Sequence, residues 1–255
     1  LVDNQTILSQ FSEKAKSKDA KVGLWLDINN GMNRTGVLPD ENAIAIFKAM
    51  DSDPNINVLG LHVYDGHLRN PDLNERKEKC DSDFDTVLEL KRKLSEMAIE
   101  VKNIVAGGSP SFPFHAQREG VEASPGTTLL WDSGYGTLFP EMDFLPAAVL
   151  MTRIISKPSE NIICLDLGHK SIAPEMPFPR VEFLDMGKTE QIGQSEEHLV
   201  LKCENWDDYN IGDICYAIPK HICPTMAKYE HLQVINDGKI ANAWVVAARN
   251  QKIHI

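Results

Sequence analysis

The chain reads as an α/β portion followed by an all-β portion: a half-barrel or open parallel sheet, then a mostly antiparallel β-domain. Two observations carry this. In the first half, short apolar runs alternate with stretches of helical periodicity, the pattern of parallel strands joined by crossover helices. From about Leu129 onward, strand-like runs succeed one another with turn signals between them. The domains are expected at residues 1–140 and 141–255. With 255 residues, 42% hydrophobic and 25% charged, the composition is that of an ordinary globular chain with room for one barrel-sized domain or two smaller ones.

The elements follow in order. Leu1-Val2 reads as the end of a strand. Val22 to Ile28 is a short apolar run closed by a turn. Pro39-Asp40-Glu41-Asn42 opens a helix reaching about Met50, with Asp40 as N-cap. Asn57 to Tyr64 is the next strand. Phe84, Val87, Leu88, Leu94, Met97 and Ala98 recur at helical spacing, with Glu89 and Lys93 as an i,i+4 pair on the outer face. Strands are expected at Val101 to Val105 and near Gly120 to Ala123. In the second half they are expected at residues 145–156, 161–167, 180–184, 198–203, 213–218, 231–235 and 242–248. Asn236-Asp237-Gly238 marks a tight hairpin.

Charge and composition exclude several functions. A net charge of −11 argues against nucleic acid or an anionic membrane as partner, since phosphate binding needs a basic face. The longest apolar run, Phe144 to Met151, is short and holds Pro146, so no membrane span is expected. Leu1-Val2-Asp3-Asn4 lacks the features of a secretory leader. Five cysteines without framework spacing point to a reduced, cytoplasmic setting.

Four segments carry possible chemistry. Asp27 to Gly36 follows a strand at its carboxyl end, where parallel α/β folds keep their chemistry, and Arg34 offers a fixed positive fork of donors. His62 and Tyr64 share a face near another strand end and could stack on a flat cofactor or move a proton; a structural role is the plainer reading. Gly107-Gly108-Ser109 is a turn whose backbone N–H groups can approach a phosphate, though an ordinary strand-to-helix turn also uses such glycines. His221 and Cys223 lie two apart, on one face if the segment is a strand, and a thiolate beside an imidazole suits zinc. Two alternatives compete there: a metal-free buried pair, and a closed structural zinc site of Cys215, His221, Cys223 and His231.

Taken together, these segments resemble a known family. Asp27…Gly31-Met32…Arg34-Thr35-Gly36, Tyr64-Asp65-Gly66-His67, Gly107-Gly108-Ser109-Pro110, Pro125-Gly126-Thr127…Asp132, Asp166…Gly168…Lys170-Ser171, Ser195-Glu196-Glu197-His198 and Gly212-Asp213…Pro219…His221…Cys223…Thr225 occur in that order. The chain resembles the D-serine dehydratase and D-threonine aldolase family, alanine racemase-like enzymes of fold type III that use pyridoxal phosphate. The resemblance spans essentially the whole chain.

It implies a partial (β/α)8 TIM-type barrel followed by the β-domain. Gly107, Gly108 and Ser109 would bind the cofactor phosphate, Arg34 would lie beside the ring's phenolic oxygen, and Tyr64 would contact the ring or the Schiff-base region, with Tyr64 and Arg34 as the implied catalytic residues. His221 and Cys223 would hold a divalent metal, zinc by their chemistry. Asp132 and Tyr135 would sit near the barrel mouth. The family's Schiff-base lysine lies on the first barrel strand, upstream of the segment that Leu1 matches, and Lys170 does not replace it. The implied reaction is dehydration and deamination of a D-serine-like 3-hydroxy amino acid to a 2-keto acid and ammonia. The alternatives are retro-aldol cleavage to glycine and an aldehyde, or an inactive chain with a structural zinc. Cys223 favours dehydration, because the aldolase branch tends to carry aspartate there. A homodimer is implied for the full-length protein.

Overall fold

The computed structural model describes residues 1–251. The chain forms two compact units, Leu1–Gly126 and Thr127–Ile255.

The first unit is a parallel sheet with helices packed on it. In order it contains α1 (Gln5–Ser17), β1 (Val22–Ile28), α2 (Glu41–Ser52), β2 (Ile56–Val63), α3 (Leu73–Glu96), β3 (Ile104–Ala106), α4 (Phe112–His115) and β4 (Val121–Ala123). The strands pair in sequence order, β1-β2-β3-β4, all parallel. Val2 adds a parallel bridge to Leu26, in line with the strand-end reading of Leu1-Val2.

Helix starts follow local chemistry. Asn4 accepts from the Ile7 N–H, Asp40 from Asn42 and Ala43, and Asp72 from Asn74 and Glu75. The core gathers Leu26, Leu61 and Ile104 from the sheet with Phe47, Met50, Phe84, Leu90 and Leu94 from the helices. Each such side chain contributes about 1.5–3 kcal/mol by leaving water.

Two helical expectations need correction. α3 begins at Leu73, well before the apolar repeat that marks it, because its first turns bury Arg76, Cys80 and Asp83 instead of aliphatic residues. Glu89 pairs with Arg92, whose guanidinium spans Glu89 and Glu96, while Lys93 reaches Glu41. The first helix also carries too weak an apolar stripe to be read from sequence: only Leu8 and Ala15 are buried.

The second unit holds α5 (Ser133–Leu138), β5 (Leu150–Ser159), β6 (Ile162–Leu165), β7 (Val181–Phe183), β8 (Thr189–Gln194), β9 (Leu199–Cys203), β10 (Ile214–Pro219), α6 (Ile222–Met226), β11 (His231–Asn236) and β12 (Lys239–Val245). Strands β5 to β10 form one antiparallel sheet in the order β7-β10-β5-β6-β9-β8 around Ile154, Ile163, Leu165, Leu199, Leu201 and Ala217. β8, Thr-Glu-Gln-Ile-Gly-Gln, lacks an apolar signature and is held by its pairing with β9. β11 and β12 form the expected hairpin; Asp237 and Gly238 both take positive φ, 49° and 72°, as a two-residue turn of this hand requires.

No helix among the described residues is long and apolar enough to cross a membrane.

Candidate cofactor and metal sites

Parallel pairing puts the carboxyl ends of β1 to β4 along one edge of the first unit's sheet. Arg34 follows β1, Tyr64 follows β2 and Gly107-Gly108-Ser109 follows β3, so topology alone brings the predicted cofactor residues to one edge. They also touch. The Arg34 guanidinium lies over the Tyr64 ring, Cζ 4.7 Å from its centroid. A Cβ on Gly108 would stand 3.1 Å from Tyr64 Cε2, and one on Gly66 would stand 2.4 Å from the Tyr64 hydroxyl. Tyr64 is therefore held by Arg34 and by two glycines whose missing side chains make its space. A flat ring, a guanidinium and a glycine cradle fit a planar anionic cofactor.

The Gly107-Gly108 turn differs in detail from its sequence reading. The Gly107 N–H donates to Val63 O at 2.8 Å, and the Gly108 N–H lies 3.0 Å from Asp65 Oδ1 and 3.1 Å from Ser111 Oγ. Both glycine N–H groups are thus engaged inside the fold. Their lack of a side chain is needed for packing: a Cβ on Gly107, at φ +90°, would meet His115 Cδ2 at 2.6 Å. Ser109 is buried within the same turn.

Sequence reasoning passed over the groups behind this turn. Asp65, on the extension of β2, is 1% exposed. Its Oδ1 accepts from the Ser111 hydroxyl at 2.6 Å and its Oδ2 from His115 Nε2 at 2.8 Å. His115 Nδ1 faces Arg118 Nη1 at 2.5 Å, which makes the imidazole the Nε2–H tautomer. Arg118 also pairs with Asp81 and lies over Phe84.

Asp65, Cys80 and His115 are the one group of three among the described residues with spacing to hold a metal ion. His115 Nε2, the atom that faces Asp65 and Cys80, carries the proton it donates to Asp65, and the Arg118 guanidinium lies 3.6 Å from Cys80 Sγ. Burial pushes the Cys80 thiol up to about 11. The group is best described as a buried hydrogen-bond network.

His62 and Asp27 face each other across β1 and β2, Nδ1 to Oδ1 2.7 Å. Burial raises the Asp27 pKa, but hydrogen bonds from His62 and Thr35 outweigh it and hold the carboxyl below its ordinary 3.8.

In the second unit, His221 and Cys223 are not on a strand. β10 ends at Pro219, His221 is the extended N-cap of α6, and Cys223 lies in its first turn, where Pro224 forfeits no helical hydrogen bond. The change of direction still brings the two side chains together. A hydrogen bond donated by His221 to the Cys223 sulfur, opposed by burial and supported by Glu175, raises His221 to about 9; the same contact lowers the Cys223 thiol. Glu175 Oε1 lies 2.5 Å from His221 Nδ1, and Thr127 Oγ1 lies 3.5 Å from Cys223 Sγ. Asp132 clamps this turn: buried, it accepts the N–H of Tyr135 at 2.8 Å as N-cap of α5 and the N–H of Ile222 at 3.0 Å.

The four-ligand zinc alternative is not assembled. Cys215 points into the β-sheet core, where burial raises its thiol to about 11, while Cys223 and His231 are exposed. Among the described residues no metal-capable group contains these four side chains.

Two further motifs prove to be one contact. Lys170 Nζ pairs with Glu196 and Glu197, its N–H donates to Glu196 O, and a Cβ on Gly168 would fall 2.1 Å from Glu196 O. Asp166 Oδ1 accepts from Thr152 Oγ1 and the Arg153 N–H, tying β5 to the segment after β6.

Comparison with known proteins gives consistent results. The family described as "Alanine racemase, N-terminal domain" matches residues 1–133, and that described as "Putative serine dehydratase domain" matches residues 147–235. A D-threonine aldolase of Arthrobacter sp is 29% identical over 97% of this chain and 66% of its own length. A 3-hydroxy-D-aspartate aldolase of Paracoccus denitrificans (strain Pd 1222) is 24% identical over 98% of this chain and 66% of its own. The chain thus spans about two thirds of the length of these curated relatives. Among solved structures, D-threonine aldolase from Filomicrobium marinum superposes with a TM-score of 0.90 at 24% identity, covering 97% of this chain and 68% of that one. D-threo-3-hydroxyaspartate dehydratase from Delftia sp. HT23 superposes with a TM-score of 0.81 at 16% identity, covering 96% and 70%. These likenesses establish the fold: a partial alanine racemase-type barrel followed by a β-domain.

Proposed function

We propose, from the premise that this chain belongs to the alanine racemase N-terminal domain family of fold-type III enzymes, that it acts as a pyridoxal phosphate-dependent, metal-activated lyase on D-3-hydroxy amino acids. The substrate class follows from the aldolase and dehydratase relatives. The observation that carries the metal half is the His221–Cys223 pair. Cys223 is shifted towards the thiolate, and His221 offers an imidazole oriented by Glu175. A borderline nitrogen and a soft sulfur, with no third metal-capable side chain grouped with them among the described residues, form a donor set suited to zinc with open positions.

Arg34, Tyr64 and the Gly107-Gly108-Ser109 turn would hold pyridoxal phosphate, the two glycines through the shape of the turn since their N–H groups are engaged inside the fold, and His221 with Cys223 would hold the metal. When bound, the cofactor supplies an electron sink for charge developing at Cα, and the metal supplies a Lewis acid for the β-hydroxyl. The chain's own residues do the rest. Arg34 offers a fixed positive charge and hydrogen-bond donors towards the ring's oxygen. Tyr64, packed between Gly66 and Gly108, fixes where the ring can lie. Asp132 holds the Ile222 N–H and so keeps His221 and Cys223 on one turn.

Dehydration to a 2-keto acid and ammonia is the reading that Cys223 favours. Cleavage to glycine and an aldehyde is the second reading, supported by the two aldolase relatives. Product analysis separates them. The chain, supplied with pyridoxal phosphate and zinc, is offered D-serine, D-threonine and D-3-hydroxyaspartate. Ammonia and keto acid in equal amounts support dehydration, and glycine with aldehyde supports the aldolase. Neither product, from the chain alone or joined to a segment that supplies the family's Schiff-base lysine, overturns the lyase proposal. A cytoplasmic setting and a full-length homodimer remain part of the proposal, to be checked by fractionation and by light scattering.

A further inference from the structure

The Gly107-Ser109 turn is gripped from two sides by groups to which the sequence motifs assign no role. On one side, Asp65 Oδ1 takes the Gly108 N–H at 3.0 Å and the Ser111 hydroxyl at 2.6 Å, while Oδ2 takes His115 Nε2 at 2.8 Å. On the other, Arg76, fully buried on α3, donates through Nε to Pro110 O at 3.1 Å and through Nη1 to Asn70 O at 2.6 Å. The residue between these grips is Ser109. Ser111 Oγ also accepts the Gly108 N–H at 3.1 Å, so the turn is closed on itself as well. The grip and the glycine depend on each other: His115 packs where a Gly107 side chain would be, 2.6 Å from the position of its Cβ.

Such a network has more acceptors and donors than an ordinary strand-to-helix turn needs. Burying a carboxylate, an imidazole and a guanidinium to 1%, 0% and 0% exposure is costly unless every partner is met. Replacing the network by aliphatic packing would stabilise a turn with no task to perform equally well. What the network adds is a fixed geometry for the backbone at residues 107–110.

We propose that Asp65, braced by His115 and Arg118 and opposed across the turn by Arg76, is a positioning residue that fixes the Gly107-Gly108-Ser109 turn for the phosphate of the cofactor. This rests on the cofactor reading above. Asp65 is not itself a phosphate ligand: both its oxygens face inward to N–H and O–H donors. Asp65→Asn is the discriminating change. Since Oδ1 and Oδ2 both accept, the amide NH2 must confront a donor, either the Gly108 N–H and Ser111 hydroxyl or His115 Nε2–H.

The test compares the affinity of the chain for pyridoxal phosphate with that for pyridoxal, by fluorescence titration, in the wild type, Asp65→Asn and Ser111→Ala. Wild type is expected to prefer the phosphorylated compound. Asp65→Asn should reduce that preference about tenfold or more while changing pyridoxal affinity less than about twofold. Ser111→Ala, which removes one donor and leaves the carboxylate, should reduce it less. A general loss of structure would lower both affinities together and leave their ratio intact. If Asp65→Asn does not fold, Ser111→Ala alone decides. A wild type that prefers pyridoxal phosphate, with variants that keep the preference, overturns the positioning role. A wild type without preference overturns the phosphate assignment and this inference with it.

Discussion

Replacing Gly66 by alanine places a methyl group where the Tyr64 ring now lies. The added Cβ would stand 2.4 Å from the hydroxyl oxygen and 2.5 Å from Cε1 and Cζ. Ordinary contact begins near 3.4 Å, so the ring must retreat by about 1 Å. Gly66 does not take a positive φ, so alanine adds no backbone strain and the effect is confined to the ring. Overpacking of a buried site costs about 1–3 kcal/mol, and the ring's partial exposure puts this one at the lower end. Losing the Arg34 contact adds about 0.5–1 kcal/mol. Thermal unfolding should fall by a few degrees, and pyridoxal phosphate affinity should fall about tenfold, since about 1.4 kcal/mol is one decade. Gly193→Ala is the control, its Cβ meeting only Val200 at 3.9 Å, and it should leave both unchanged. The reasoning fails if Gly66→Ala binds the cofactor as tightly as wild type, because Tyr64 would then have no part in holding it.

Other changes have equally definite outcomes. Asp27 has a depressed pKa, so the stability it contributes is present above the unfolded value and is lost as pH falls through the folded one. The gap between wild type and Asp27→Asn in urea unfolding should therefore be widest near neutrality and close below pH 3.8; a pH-independent gap refutes the His62–Asp27 account. Zinc titration should show His221→Ala and Cys223→Ala losing the metal. Cys215→Ser should keep it and lose about 1–3 kcal/mol from a buried hydroxyl; zinc loss in Cys215→Ser would restore the four-ligand alternative. Because His221 is raised to about 9, zinc must displace its proton. Zinc affinity should weaken as pH falls below that value, with proton release visible by calorimetry in buffers of different ionisation heat. The ion pair that His221 makes without metal is lost as pH rises through about 9. Gly168→Ala should cost more than about 3 kcal/mol, since its Cβ meets backbone atoms of Glu196 and Glu197 at 2.1–2.4 Å with no side chain free to yield; near-wild-type urea stability would contradict the observed packing.

Much of the fold was legible because its signals are local. Apolar runs and the Asp40 cap mark β1, α2 and β2, and the Asp237-Gly238 turn marks the last hairpin, since each depends on residues adjacent in sequence. β8 and the first turns of α3 escaped for the opposite reason. The polar β8 is a strand only because β9 pairs with it, and α3 begins with Arg76 and Cys80 buried against groups far away in the chain. The same division holds in the sites. Arg34, Tyr64, Gly107, Gly108, Ser109, His221 and Cys223 stand out by residue type and motif order. Asp65, Arg76 and His115 take no role from such signals, and Asp132 takes only a place near the barrel mouth, because their partners lie 34 to 90 residues away: Pro110 for Arg76, His115 for Asp65, Ile222 for Asp132.

The sequence by itself determined the α/β-then-β order, the strand ends that carry chemistry and the imidazole and thiol suited to a metal. Only the tertiary structure decided what the glycines are for and how the metal pair is presented. Gly107 and Gly108 spend their N–H groups on Val63 and Asp65 and owe their place to His115 and Tyr64. His221 and Cys223 meet across the start of a helix instead of along a strand. Residue type limits what a group can do. Which partner it meets depends on contacts closed over long stretches of chain, and no local pattern encodes them.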